Sequence, residues 1–198
     1  MGSETNIVIA SATRTPIGAF NGNFSSLAAH ELGSIAITTA LSQADVKPEE
    51  VSEVVLGQVL TAGAGMNPAR QAAMAASIPE SKTAYLVNQV CGSGLRSIAL
   101  GAQAISSGDA SVVVAGGQEN MTQSPHVAHL RSGTKMGSAE LIDSMIKDGL
   151  WDAFNGYHMG VTAENVAQEF EVSRVDQDEL AVLSHQSAVK AIENGRFE

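Results

Sequence analysis

Cysteine occurs once in the 198 residues, at Cys91. It stands in Asn88-Gln-Val-Cys-Gly-Ser-Gly94, between an apolar run ending at Val87 and a segment with helical spacing. That pattern reads as strand, tight turn and helix, with the thiol at the helix N-terminus. Unpaired amide donors and the positive end of the helix dipole favour a thiolate at such a position. A thiolate there is a nucleophile if a base stands nearby, and local sequence shows none. Free cysteine is also among the most buried residue types, so a packed, inert thiol fits the same spacing. One cysteine forms no internal disulfide and no cysteine-rich metal site, which favours a reducing compartment. His126 and His129 are three apart but lack an adjacent carboxylate or third ligand. They read as polar surface or subunit-contact residues, and no metal is expected. Gly63-Ala-Gly65 is no dinucleotide fingerprint, since the third glycine is missing and Pro68 follows.

The elements that must position Cys91 follow from periodicity. Buried strands are predicted at Ile7–Thr13, Val54–Leu60, Ala84–Val87 and Ser111–Ala115. Leu27, Leu32, Ile35, Ala36 and Leu41 recur at helical spacing, with Ser25 or Ser26 available as cap. Pro68 suits the first position of a helix running to about Ser77. A third helix is predicted over 93–107, with Leu95, Ile98, Ala102 and Ile105 on one side and Gly108-Asp109 as its stop. Alternation of strand and helix predicts an α/β fold, a mainly parallel sheet covered by helices on both faces. Residues 117–160 are rich in Met, His, Ser and Gly and show no strand pattern. Ser173-Arg-Val-Asp176 resembles a capping box opening a helix to about Asn194, with Gly195 as its stop. Leu180, Leu183, Ala188 and Ile192 of that helix would need cover from elsewhere. The predicted boundary lies near residue 120, giving domains 1–120 and 121–198.

Composition excludes several classes of function. Hydrophobic residues make up 44% and charged residues 16%, a core-forming balance. The formal net charge of −10 speaks against nucleic acid and anionic membranes, which both select a basic face. Residues 161–198 carry eight acids against three bases, so half of the excess is local. Met1-Gly-Ser-Glu-Thr-Asn6 has no early basic residue, and Asn6 breaks the myristoylation pattern. No stretch approaches the roughly 18 apolar residues of a membrane span. A cytoplasmic protein is expected.

The longer runs resemble the thiolase family. They include Asn88-Gln-Val-Cys-Gly-Ser-Gly-Leu-Arg-Ser97 and Gly108-Asp-Ala-Ser-Val-Val-Val-Ala-Gly-Gly-Gln-Glu-Asn-Met121. Arg14-Thr-Pro-Ile-Gly18, Asn67-Pro-Ala-Arg70, Asp148-Gly-Leu-Trp-Asp-Ala-Phe154 and Gly156-Tyr-His-Met-Gly160 add to them. Glu164-Asn-Val166 and Ser173-Arg-Val-Asp-Gln177 continue the likeness, in collinear order along essentially the whole chain. The resemblance implies the layered thiolase-type fold plus the first part of a loop domain. It also implies an acyltransferase that condenses two acetyl-CoA to acetoacetyl-CoA and CoA, reversibly, through an acyl-cysteine. Cys91 matches the nucleophile, its backbone N–H contributing to an oxyanion hole. Leu150, His158 and Met159 match residues that line the acyl and pantetheine pocket of the short-chain, biosynthetic type. On residue type alone, His158 fits a structural hydrogen-bonding role and Met159 a packing role. No cofactor is implied beyond the CoA thioester, which is substrate.

Residues 121–147 match the region that ties dimers into tetramers in that family, so a homo-oligomer, dimer or tetramer, is expected. The chain matches the N-terminal half of a thiolase. The family's base histidine, second cysteine and water-holding asparagine match nothing here, so a complementing C-terminal half is an expected partner. Without them, the alternative is a non-catalytic half-thiolase serving as an assembly or acyl-CoA-binding module, or a truncated fragment inactive without its C-terminal half. A ketoacyl synthase shares the layered fold and the cysteine, but Tyr157-His-Met-Gly160 and Arg14-Thr-Pro-Ile-Gly18 speak against it.

Overall fold

The computed structural model describes residues 6–197. The N-terminal residues on which the leader and acylation readings mostly rest lie outside that range. Two compact units divide the chain, one ending at Gly149 and the other beginning at Leu150.

The first unit is built on a three-stranded parallel sheet, β1 (Glu53–Gly57), β2 (Thr83–Val87) and β3 (Val113–Gly117), in the order β2-β1-β3. Val54 pairs with Ala84 and Val114, and Leu56 with Leu86, so these side chains share one face. Against that face pack α2 (Pro68–Ala75) and, over it, α1 (Ala29–Gln43). The resulting core gathers Ile37, Leu41, Val51, Val54, Leu56 and Ile78 with Ala69, Ala72, Ala73 and Ala76. The opposite face receives α3 (Ser93–Ser107), whose Gly101 lies against Val113 and Ala115. Helices thus cover both faces of a parallel sheet, as the alternating pattern predicts.

Several elements depart from expectation. Residues 7–13 are not a buried strand: Val8 and Ile9 are exposed, and no ladder pairs them. A strand exists only by exchanging backbone hydrogen bonds, and this run is instead held to α1 by side chains. Ser11 Oγ donates to the Ala40 carbonyl (2.7 Å) and Thr13 Oγ1 to that of Ala36 (2.9 Å). β1 ends at Gly57 rather than Leu60 because the Glu119 carboxylate takes the Val59 and Leu60 N–H groups, at 2.8 and 3.1 Å. The cap of α1 is Ala28, not Ser25 or Ser26, and the Glu31 carboxylate accepts its N–H at 2.6 Å. Two short strands, β4 (His126–Val127) and β5 (Ile142–Asp143), pair antiparallel where no strand is predicted.

α3 forms where the spacing predicts it. Its bounds are those expected, and Gly108 ends it in the left-handed conformation at φ 82°. The face that packs on the sheet carries small residues. Ser93, Ser97 and Gly101 are buried, while Leu95 and Ile98 are exposed. Small residues spaced four apart let the helix backbone approach the sheet closely.

The second unit holds α4 (Met159–Glu169), absent from the sequence reading, and α5 (Arg174–Glu193). Ser173 caps α5 in a reciprocal box with Asp176, and Gly195 follows its end at φ 64°. Leu180, Leu183 and Ile192 are exposed, as their need for cover predicts. Among the described residues no helix is long and apolar enough to cross a membrane.

Candidate active-site cysteine and pocket segment

Cys91 is exposed on the turn that joins β2 to α3. The turn is built by its neighbours. Val90, just before the thiol, has φ 48°, a left-handed conformation that is costly for a β-branched residue. Asn88 Oδ1 accepts the Val90 N–H at 2.9 Å. Ser93 Oγ accepts the Gln89 N–H at 2.8 Å and donates to the Val90 carbonyl at 2.6 Å. The Gly92 N–H donates to the Gln89 carbonyl at 3.0 Å, closing the loop around the cysteine. Gly92 offers no side-chain cap to α3. Asn88 and Ser93 escape a search for reactive side chains. The signal for them is an asparagine directly after a strand and a serine opening the helix, both of which bond local backbone.

Just past the ends of β1 and β3 lies a cluster of polar side chains. Gln118 Nε2 donates to Gln58 Oε1 at 2.9 Å, and Gln58 Nε2 to the Leu60 carbonyl at 2.9 Å. Burial pushes the Glu119 carboxyl above the usual carboxylate range, against the opposing pull of the Val59 and Leu60 N–H groups.

Leu150, His158 and Met159 belong to the second unit, whereas Cys91 belongs to the first. Leu150 is half-buried at the end of a single π-helical turn, Ile146–Leu150. Trp151 and His158 pair across an antiparallel bridge, so Leu150 and Met159 flank the two ends of one closed loop. Asp152 holds that loop. Its N–H donates to the Tyr157 carbonyl at 2.8 Å, and its carboxylate accepts from the Phe154 and Asn155 N–H groups and the Asn155 amide. These donors, the Asn155 amide foremost, hold the Asp152 carboxyl below the usual range. His158 is the N-cap of α4, its Nδ1 accepting the Gly160 N–H at 3.0 Å. That bond requires an unprotonated Nδ1, which leaves Nε2 as the donor of the neutral ring. Met159 is exposed in the first turn of the helix.

Among the described residues no group of three or more His, Cys, Asp or Glu could hold a metal. His126 faces Asp143 at 3.9 Å across the β4–β5 pair, while His129 is exposed.

The chain is 59% identical over 195 residues to a protein named acetyl-CoA acetyltransferase from Rhizobium meliloti, covering 98% of this chain and 50% of that relative. It is 54% identical over 192 residues to one named acetyl-CoA acetyltransferase, cytosolic, from Rattus norvegicus, at 97% and 48% coverage. A probable acetyl-CoA acetyltransferase of Escherichia coli is 51% identical over 193 residues, at 97% and 49%. The chain therefore spans about half the length of the curated relatives it matches. Residues 7–198 match the family described as thiolase, N-terminal domain, and this chain belongs to the thiolase family.

Proposed function

We propose that the protein works as an acetyl-CoA C-acetyltransferase, with Cys91 as the residue that carries the acyl group. The observation that carries this reading is the exposed thiol on a turn fixed by Asn88 and Ser93, in a chain whose relatives bear that activity in their names. In the proposed cycle the Cys91 sulfur attacks the carbonyl carbon of acetyl-CoA, a new C–S bond forms, and CoA leaves as the thiol. A second acetyl-CoA loses a proton from its methyl carbon, and that carbon attacks the acetyl-cysteine. Acetoacetyl-CoA departs and the Cys91 sulfur is released. The reverse direction is thiolytic cleavage. Acyl exchange between two sulfurs suits a soft nucleophile, and backbone N–H groups at the turn, that of Cys91 included, would stabilise the oxyanion.

Leu150, His158 and Met159 are proposed to line the pocket for the acyl and pantetheine groups. His158 suits this because its cap bond fixes the ring and orients Nε2. A positioned base is worth about 10²–10⁴-fold in a proton abstraction of this kind. It is proposed to come from sequence corresponding to the other half of the longer relatives. A homo-oligomer and a cytoplasmic location complete the proposal, the latter supported by the cytosolic designation of the rat relative.

Mass spectrometry of the protein mixed with acetyl-CoA tests the nucleophile. A single acetyl group on Cys91, removed by added CoA, is the expected result, and Cys91→Ser should lose it while keeping the circular dichroism of the parent. Acetylation that persists in Cys91→Ser overturns the assignment.

A further inference from the structure

The strand under the cysteine turn carries an unusual demand. A Cβ placed on Gly57, at the end of β1, would stand 2.5 Å from the Ser93 carbonyl carbon, 2.6 Å from the Gly94 nitrogen and 2.6 Å from Ser93 Cβ. None of these atoms is the free end of a flexible side chain, so nothing can swing aside. Gly117, the register partner of Gly57 on β3, is equally bare, and a Cβ there would meet Gly94 Cα and the Gly57 carbonyl oxygen at 3.4 Å. Ser97 Oγ, fully buried one turn on, reaches the Gly116 carbonyl at 2.7 Å. The first turn of α3 thus rests directly on the backbones of β1 and β3.

We infer that Gly57 is a positioning residue for the Cys91 thiol: lacking a side chain, it sets how deeply the first turn of α3 seats and so where Cys91 is presented. The inference rests on the reading of Cys91 as nucleophile. The linkage runs through Ser93, the residue a Gly57 side chain would strike. Ser93 Oγ is bonded to both the Gln89 N–H and the Val90 carbonyl, so displacing Ser93 carries residues 89–91 with it. Close-packed interiors transmit such a shift instead of absorbing it. Gly101 supplies the matched comparison on the same helix. A Cβ there meets Val113 Cγ1 at 3.0 Å, a milder contact and with a side chain of β3, two turns further from the thiol.

Because the sequence holds one cysteine, alkylation reports on Cys91 alone. The experiment measures the rate constant with iodoacetamide from about pH 6 to 9 in the parent, Gly57→Ala and Gly101→Ala, with a thermal midpoint for each. Both variants should lower the midpoint. Only Gly57→Ala should change the rate, by about threefold or more, and displace the pH profile. A Gly57→Ala profile that superimposes on the parent, or an equal displacement in Gly101→Ala, overturns the inference. Should Gly57→Ala fail to fold, Ser97→Ala loosens the same seat and must displace the profile in its place. The nucleophile reading fails separately: an intact alkylation contrast in a protein that acetyl-CoA does not acetylate removes the acyl-carrying role and leaves the positioning role standing.

Discussion

Val90 pays a conformational cost that its side chain does not return. A β-branched residue at φ 48° costs about 1–3 kcal/mol, and this one is half exposed and contributes little burial. The turn holds because Asn88 and Ser93 bond both of its backbone groups. Glycine adopts the same φ without strain but loses about 0.5–1 kcal/mol more chain entropy on folding. The balance predicts that Val90→Gly raises stability by about 1 kcal/mol in urea denaturation. A loss of stability would show that the Val90 side chain is anchored by contacts stronger than the strain. Single residues of this kind also mark the reach of sequence reasoning. The Cys91 turn is legible because strand, turn and helix N-terminus are contiguous, and Cys91 falls where that pattern places it. The contribution of Gly57 is not legible, since it depends on which strand ends beneath which helix.

At the scale of elements, hydrophobic periodicity locates α3 to the residue and leaves open which of its sides is buried. Periodicity assumes that large apolar side chains point inward. Where two backbones must nearly touch, the inward positions go to Ser93, Ser97 and Gly101 instead. The run at 7–13 fails for a related reason, because composition can mark a strand-forming segment but not the ladder it needs. The grouping of Leu150 with His158 and Met159 was legible only through family resemblance, since the Trp151–His158 bridge that closes their loop leaves no local pattern.

The same scale carries a pH prediction. Asp152 holds the loop closed by the Trp151–His158 bridge and Asp176 caps α5, and both carboxyls lie below the usual range. Asp176 is lowered by the Ser173 hydroxyl first and the Ser173 N–H second. A carboxyl lowered in the fold adds stability that is fully present above its unfolded value, about 4, and is lost as the pH falls through the folded value. Glu119 is raised and has the opposite sign: its contribution improves as the pH falls from the folded value towards about 4. Acid should therefore loosen the second unit first. Far-UV circular dichroism below pH 4 should show a helix loss in the parent that is shallower in a variant carrying Asp152→Asn and Asp176→Asn. Equal steepness in the two proteins would remove these carboxylates from the acid response.

The whole molecule combines a well-buried central strand, β1, with extensive bare apolar surface. Within the first unit Val54 and Val55 are fully buried while Val8 and Ile9 stand open. In the second unit Phe154 is 99% exposed, and α5 presents Val175, Leu180, Leu183 and Ile192 to solvent. Apolar surface on this scale marks an interaction surface, and helices draw most of their stability from such faces when packed. Opposing association is the net charge of −10, which repels like molecules over a Debye length of about 10 Å at 0.1 M salt. Salt shortens that range and leaves the apolar attraction in place. The 198-residue polypeptide should accordingly bind a hydrophobic dye such as ANS and associate more strongly as salt is raised from about 0.05 to 0.5 M. Sedimentation velocity reads the second effect directly. If electrostatic attraction between acidic α5 and basic residues held copies together, association would weaken with salt instead. A monomer that ignores both salt and dye would overturn the reading of these faces as interaction surfaces.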